Sequence, residues 1–561
     1  MERDLSATAQ VRERSAVVRS SRFLLLVVFL AGIGTLGIEM LASRLLAPYF
    51  GTSQPIWAVV IGLTLIYLTI GYRLGGALAD RQPDEAVLYR IISWAGLLTA
   101  FIPLISDPIL RFAQQALSRV MVGGFLGALF GVLILFAAPV ILMAMVSPFA
   151  VRLQLRRAEA GVANAGSVAG SLSALSTVGS IVGTFLTVLY LIPEVGVART
   201  FFLFAGFLVL IGLIGLRDWR YLLMLLAIIG LAWLTLTTRP NIKSADCQNC
   251  TLVHEENSSY NYIQVATRDG FTVTGERTET VNLILNEGQA IHSIFNKRYE
   301  ASNNPLDLLT GGGPWDYFSV APYFYPNRDP ASVTSLAMLG SATGTMPKQF
   351  LAIYGPNMRI DAVEIDPRII AMGREYFDMQ DNAVSQKYPN YTVYAQDARY
   401  WLETTDKKYD VIGMDAYRQP YVPFQLTTVE FFKSVKARLS DQGVAVVNAG
   451  KGPDGDDRLG QALASTMIKV FPQVFIIDTA NFGNQIVVGI NQPVGNGVEN
   501  FIANAQRIND PVLKTVMSWS ISAAQPIREF RPQDATYAAF TDDRAPVEQL
   551  VDSLIFSEAF K

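Results

Sequence analysis

Cysteine and histidine are almost absent. In 561 residues there are two of each, Cys247, Cys250, His254 and His292. A structural zinc site draws four ligands from such residues, so the chain holds one such set at most, and no metal is expected. The C-x-x-C pair reads first as a local disulfide or two idle thiols, and second as a redox or metal pair. Charge is also scarce: 17% of residues are Asp, Glu, Lys or Arg, and the net charge is −3. No basic stripe with interleaved aromatics occurs, which excludes nucleic acid as a partner. A hydrophobic content of 51% excludes a disordered chain.

What the chain has instead is long apolar runs. They cover 23–48, 55–76, 86–105, 122–145, 162–192, 197–216 and 221–237. At 1.5 Å per residue, ~20 residues cross the ~30 Å hydrocarbon layer. About seven membrane spans are therefore expected, in a cell (inner) membrane. A signal peptide would have a shorter apolar region and no train of further spans.

Arginines set the expected topology. Arg3, Arg12, Arg14, Arg19 and Arg22 precede the first run, and Arg81, Arg90, Arg152, Arg156, Arg157, Arg217 and Arg220 fall in alternate connections. The opposite connections carry only Arg111, Arg119 and Arg199. The positive-inside rule then places the N-terminus in the cytoplasm. An odd number of spans places the C-terminal half outside.

Inside the runs, Gly166-x-x-x-Gly170 and Gly179-x-x-x-Gly183 mark a helix packed closely against others, with a serine-lined path as the alternative. Glu39, Arg44 and Arg73 lie in or near the first two runs and are expected to pair between helices near the interface, with a transport or ligand role as the alternative.

After residue 238 the texture changes to short apolar runs that alternate with helical stretches. Strands are expected at 262–267 and 281–286 in a small β unit, then near 334–339, 359–363, 391–394, 409–414 and 444–448. Helices are expected near 345–354, 367–377, 398–404 and 427–439, and 474–478 with 484–490 reads as a closing hairpin. The organisation expected is a basic cytoplasmic tail (1–22), a transmembrane helical domain (23–238), and a linker with the β unit (239–330). A Rossmann-like α/β domain (331–525) and a C-terminal tail with a TDDRAPVE motif (526–561) complete it.

In such a doubly wound sheet, ligands bind at the carboxyl ends of the strands. Four sequences stand there. Gly340-Ser341-Ala342-Thr343-Gly344 lets a ligand approach the backbone. Glu364 follows roughly 20 residues on, where an acid can hold two ribose hydroxyls, while Asp366 before Pro367 reads as a helix cap. Asp397-Ala398 is placed to meet an adenine amino group. Asp415 emerges at the next strand end, where a carboxylate can orient an amine and accept its proton.

The segments HEENSSYNYIQV, GGGPWDYFSVAPYF, MLGSATGTM, AVEIDPRII, YDVIGMDAYRQPYVPFQLTTVEFF and TDDRAPVEQL carry a resemblance. The stretch from about Val253 to Asn448 resembles the aminopropyltransferases, spermidine synthase in particular. The whole chain resembles the bacterial family of fused transporter-like and spermidine synthase membrane proteins. The resemblance implies a donor site at Gly340, Ser341, Gly344, Glu364, Asp397 and Ala398, with Asp415 as catalytic acid–base. It implies decarboxylated S-adenosylmethionine, or a related adenosyl thioether or sulfonium, as co-substrate.

Three positions depart from that family. Thr343 and Arg418 stand where it has acids that bind ammonium groups, and His292 stands in place of a glutamine. Tyr417, Arg418 and His292 are the expected substrate-side residues. Asp542, Asp543 and Glu548 restore negative charge if the tail folds over the site. The resemblance implies a transferase, an aminopropyltransferase of polyamine biosynthesis with an altered substrate site. The alternatives are a non-catalytic assembly, transport or sensing protein, and an S-adenosylmethionine methyltransferase. The partners expected are the bilayer, a small amine or nucleoside and, as an open case, a second copy of the chain.

Overall fold

The computed structural model describes residues 2–50, 54–117, 123–157, 165–238, 249–258, 260–286, 291–417, 422–452, 455–523 and 527–556. Arg418, Cys247 and Arg119 lie outside them. The chain divides into two compact units, with the division at Ser244 and Ala245.

Among the described residues of the first unit, seven helices are long and apolar enough to cross a membrane, matching the seven runs one for one. They are Arg22–Phe50, Pro55–Arg81, Glu85–Ala113, Phe125–Arg157, Ala165–Val195, Val197–Leu216 and Arg220–Thr238. The fifth changes to π-helical geometry over Thr187–Val195, with Pro193 inside that stretch.

The first and fifth helices pack through glycine. A Cβ on Gly179 would stand 2.1 Å from the Phe29 carbonyl oxygen, and one on Gly183 would stand 2.3 Å from that of Ile33. Gly32 answers from the other side, 2.3 Å from the Ser176 oxygen. Only residues without a side chain permit backbones this close. Gly166 and Gly170 do not share this role, since nothing lies within 4 Å of a Cβ at either. The close-packing expectation thus holds for one glycine pair and fails for the other.

The second unit has two sheets. Strands β1 (Cys250–Asn257), β2 (Tyr262–Phe271), β3 (Arg277–Leu285) and β4 (Ile291–Asn296) form an antiparallel meander. Only its two central strands show in the sequence. β1 carries His254, Glu255 and Glu256 and so lacks an apolar alternation, and β4 is six residues long. Cys250 at the start of β1 is disulfide-bonded, which removes the idle-thiol reading; the only other cysteine in the sequence is Cys247.

The main sheet is built from β5 (Ser335–Leu339), β6 (Arg359–Glu364), β7 (Tyr391–Ala395), β8 (Tyr409–Met414), β9 (Leu439–Gly450), β10 (Gln473–Asp478), β11 (Asn484–Ile490) and β12 (Arg528–Phe530). Their order is β12-β10-β11-β9-β8-β5-β6-β7. β7, β6, β5, β8 and β9 run parallel, and the last three strands join antiparallel at one edge. The central strands β5, β6 and β8 are almost wholly buried, so apolar residues follow one another in SLAML and VIGM, whereas the edge strand β7 is only partly buried. The chain reverses its direction of travel across the sheet between β5 and β8, which puts the ligand crevice there.

Candidate functional site

Register brings the four expected sequences together. Leu339, the last residue of β5, pairs with Val363 of β6 and with Met414 of β8, and Glu364 pairs with Ala395 of β7. Gly340, Glu364, Asp397 and Asp415 therefore stand at one edge of four adjacent parallel strands.

Gly340 is required by two constraints. Its φ is +81°, a region that L-residues avoid. A Cβ there would stand 2.6 Å from the Asp415 carbonyl oxygen and from the Ala416 nitrogen. The loop then folds over Glu364. The Ala342 N–H donates to Glu364 Oε2 at 2.9 Å, and the Asp366 N–H donates to Oε1 at 3.1 Å. Burial pushes this carboxyl up to about 7, against the pull of those backbone donors. The Ile365 N–H is a third backbone donor, and an ionised carboxylate offers about four lone-pair positions, so about one remains for a ligand's hydroxyl. Ser341 is buried in the same loop.

Asp366 is a helix cap, as its position before Pro367 predicts. It accepts from the Arg368 N–H, and also from Ser258 and Asn261, which ties the β meander to the main sheet. Asp397 caps a helix as well: its Oδ1 accepts from the Tyr400 N–H at 2.9 Å at the start of Ala398–Thr404. Its second carboxylate oxygen is the one left for a base-like ligand, and Ala398 is buried behind it.

Asp415 follows the end of β8, beside Gly340. The Asn448 side-chain amide donates to its Oδ1 at 2.8 Å, and Asn484 donates to Asn448 Oδ1 at 2.9 Å. The Trp315 side chain is a second, weaker donor to the carboxylate. Burial outweighs both donors and pushes Asp415 up to about 6. At neutral pH the group is mostly ionised and is a stronger proton acceptor than an ordinary carboxylate. Trp315 also meets Phe482 edge to face, with ring centroids 6.0 Å apart.

Three substrate-side expectations change. Tyr417 donates its hydroxyl to the Asn448 carbonyl at 2.9 Å and accepts from the Gly450 N–H at 3.1 Å. That hydroxyl is satisfied by backbone, so only the ring can meet a substrate. His292 is held neutral, pushed down to about 4 by burial, and its Nε2 has no hydrogen-bond partner. Asp542 does not supply free negative charge to the site. It is bound bidentately by Arg399, at 2.8 and 2.6 Å, and by Thr428 at 2.7 Å.

Thr343 is 1% exposed with an unpartnered hydroxyl. The residues missed by sequence reasoning are Trp315, Asn448 and Asn484. Asn448 closes an expected strand and Trp315 lies in GGGPWDYF, but neither amide nor indole marks chemistry until Asp415 stands beside it.

The four sequences thus meet at the carboxyl edge of a parallel sheet, where open α/β folds bind their ligands. Residues 349–482 match the spermine/spermidine synthase domain family. The chain is 30% identical over 322 residues to a probable polyamine aminopropyl transferase of Bifidobacterium longum, covering 55% of this chain and 65% of that one. It is 33% identical over 116 residues to a polyamine aminopropyltransferase of Vibrio vulnificus, covering 20% of this chain and 36% of the other. The match therefore spans less than two thirds of either relative. A probable spermidine synthase from Corynebacterium glutamicum aligns at 19% identity over 52% of this chain and 96% of its own, with a TM-score of 0.38.

Proposed function

We propose that the second unit transfers an aminopropyl group from decarboxylated S-adenosylmethionine to an amine, with Asp415 as the base. The observation that carries this reading is the Asp415 carboxylate, ionised at neutral pH and oriented by Asn448 and Trp315 beside the Gly340 loop. Glu364 meets the ribose with the acceptor capacity its backbone donors leave, and Asp397 with Ala398 meets the base.

The amine nitrogen attacks the propyl carbon next to sulfur as the carbon–sulfur bond breaks. The bonding pair leaves with sulfur, so methylthioadenosine departs neutral, and the nitrogen's proton passes to Asp415. Near its unperturbed pKa the acceptor is an ammonium at pH 7, so orienting and deprotonating it is the larger part of Asp415's work. Thr343 bears no charge, so the amine end of the donor is held without an acid at that position.

Seven apolar helices tether this unit to the bilayer. The test is methylthioadenosine release by the purified full-length protein, given the donor and a panel of amines. Release that is lost in Asp415→Asn supports the reading; no release with any amine overturns it.

A second reading is binding without turnover. Cys250's disulfide favours it, because disulfides persist outside the cytosol, where an S-adenosyl donor is not made. Protease accessibility of the second unit in sealed vesicles separates the two: a cytoplasmic location supports the transferase, an outward one the binding protein.

A further inference from the structure

Phe482, in the turn between β10 and β11, is unusual in two ways. Its φ is +69°, and it is the one aromatic among the described residues in the left-handed region. That conformation is costly for a bulky side chain and persists where the surroundings over-determine it. Its ring is also 52% exposed. Glycine or asparagine would suit this backbone better and would show less carbon to water.

The turn is clasped from both sides. The Asn481 N–H donates to the Gly312 carbonyl at 3.1 Å, and its side-chain amide donates to that of Gly311 at 2.6 Å. The Ala480 N–H donates to the Tyr317 hydroxyl at 2.8 Å. Across the sheet, the Lys451 N–H donates to the Gly483 carbonyl at 2.8 Å. The first three bonds fix the turn to segment 310–317, which carries Trp315. Gly313 leaves room for both rings, since a Cβ there would stand 3.2 Å from the Trp315 ring and 3.3 Å from that of Phe482. Trp315 is 4% exposed and donates to Asp415, and its ring meets Phe482 edge to face. An aromatic surface, covered at Trp315 and open at Phe482, thus runs outward from the Asp415 carboxylate.

The carboxylates on these two segments are already engaged. Asp316 is fully buried and accepts from the Thr310 and Gly312 N–H groups and from Gln349. Asp478, at the base of the turn, is bound by Lys451, Arg528 and Gln485. Neither is left to neutralise a second ammonium.

We propose that the Phe482 ring, with Trp315, receives the carbon body of the amine that Asp415 orients, and that this amine carries a single positive charge on an apolar alkyl or aryl chain. Covering the exposed ring with carbon is favourable in proportion to the area removed from water. A second ammonium brought to the same place would lose hydration without gaining a carboxylate, and a ring face at an exposed site attracts it only weakly. The inference rests on the reading of Asp415 as the partner of the amine.

The experiment is isothermal titration calorimetry of the full-length protein, saturated with methylthioadenosine, against hexylamine and hexamethylenediamine. The two amines share one chain and differ in the second charge. Hexylamine should bind about tenfold more tightly, and Phe482→Gly should reduce that advantage to roughly twofold or less. Glycine suits this φ, so the variant keeps its turn. The ratio of the two affinities is also independent of the fraction of protein folded. No binding of hexylamine, equal or tighter binding of the diamine, or a ratio left unchanged by Phe482→Gly would each overturn the proposal. The transferase reading fails separately, by the absence of methylthioadenosine release, and the titration still reports on this surface.

Discussion

Asn448 Nδ2 lies 2.8 Å from Asp415 Oδ1, a hydrogen bond that joins the ends of β8 and β9. It holds the carboxylate in one rotamer and favours its charged form. Asn484 fixes the amide in turn. Removing this donor raises the Asp415 pKa from about 6. A hydrogen bond to a charged group contributes ~1.5–3 kcal/mol, or ~1–2 pH units. In Asn448→Ala, the acidic limb of kcat/KM for methylthioadenosine release should move upward by that amount. Trp315→Phe should move it the same way and less. A limb that stays in place shows that these residues do not act through Asp415.

Gly340→Ala should damage the fold of the second unit. The added methyl meets the Ala416 backbone at 2.6 Å, and φ of +81° disfavours any side chain. The left-handed conformation alone costs ~1–2 kcal/mol. Thermal unfolding should show a lowered midpoint, and titration with methylthioadenosine should show lost binding. Unchanged values for both would mean that the loop is free to move away from β8.

The tail latch has a pH signature. Arg399 and Thr428 hold the Asp542 carboxyl below its usual range. A folded-state pKa below the unfolded one gives stability that is present above the unfolded value near 4. That stability is lost as pH falls through the folded value. The pair is partly exposed, at 21% and 42%, so Asp542→Asn should cost only ~0–1 kcal/mol. Its clearer effect should be faster proteolysis near Thr428. Identical cleavage rates in variant and wild type would refute the latch.

Within the helical unit, Gly179→Leu and Gly183→Leu should abolish a monodisperse peak in detergent. Their side chains would overlap the Phe29 and Ile33 carbonyl oxygens. Gly166→Leu and Gly170→Leu meet open space and should be tolerated. Size-exclusion chromatography of the four variants distinguishes the pairs, and equal behaviour would contradict the packing described.

Much of this was legible in the sequence because apolar patterning is local. Seven runs became seven helices, and every strand of the parallel core lay within a few residues of its expected place. β1 was not legible, since His254, Glu255 and Glu256 break the alternation that reveals a strand. β12, three residues long, has too little pattern to detect. For the site, the glycine loop and the strand-end acids were visible because their chemistry requires those residue types. Asn448 and Asn484 were not, because an amide becomes an orienting group only through a neighbour brought by the fold. Asp542 shows the converse: its charge was visible, but its partner Arg399 lies 143 positions away.

The order in which the main sheet is assembled has a consequence for biosynthesis. Gly340, Glu364 and Asp397 have all been synthesised by the end of β8, but Asn484, which fixes Asn448, belongs to β11. A nascent chain can thus shape the crevice early, while the Asp415 carboxylate receives its final orientation only after the antiparallel edge has been laid down.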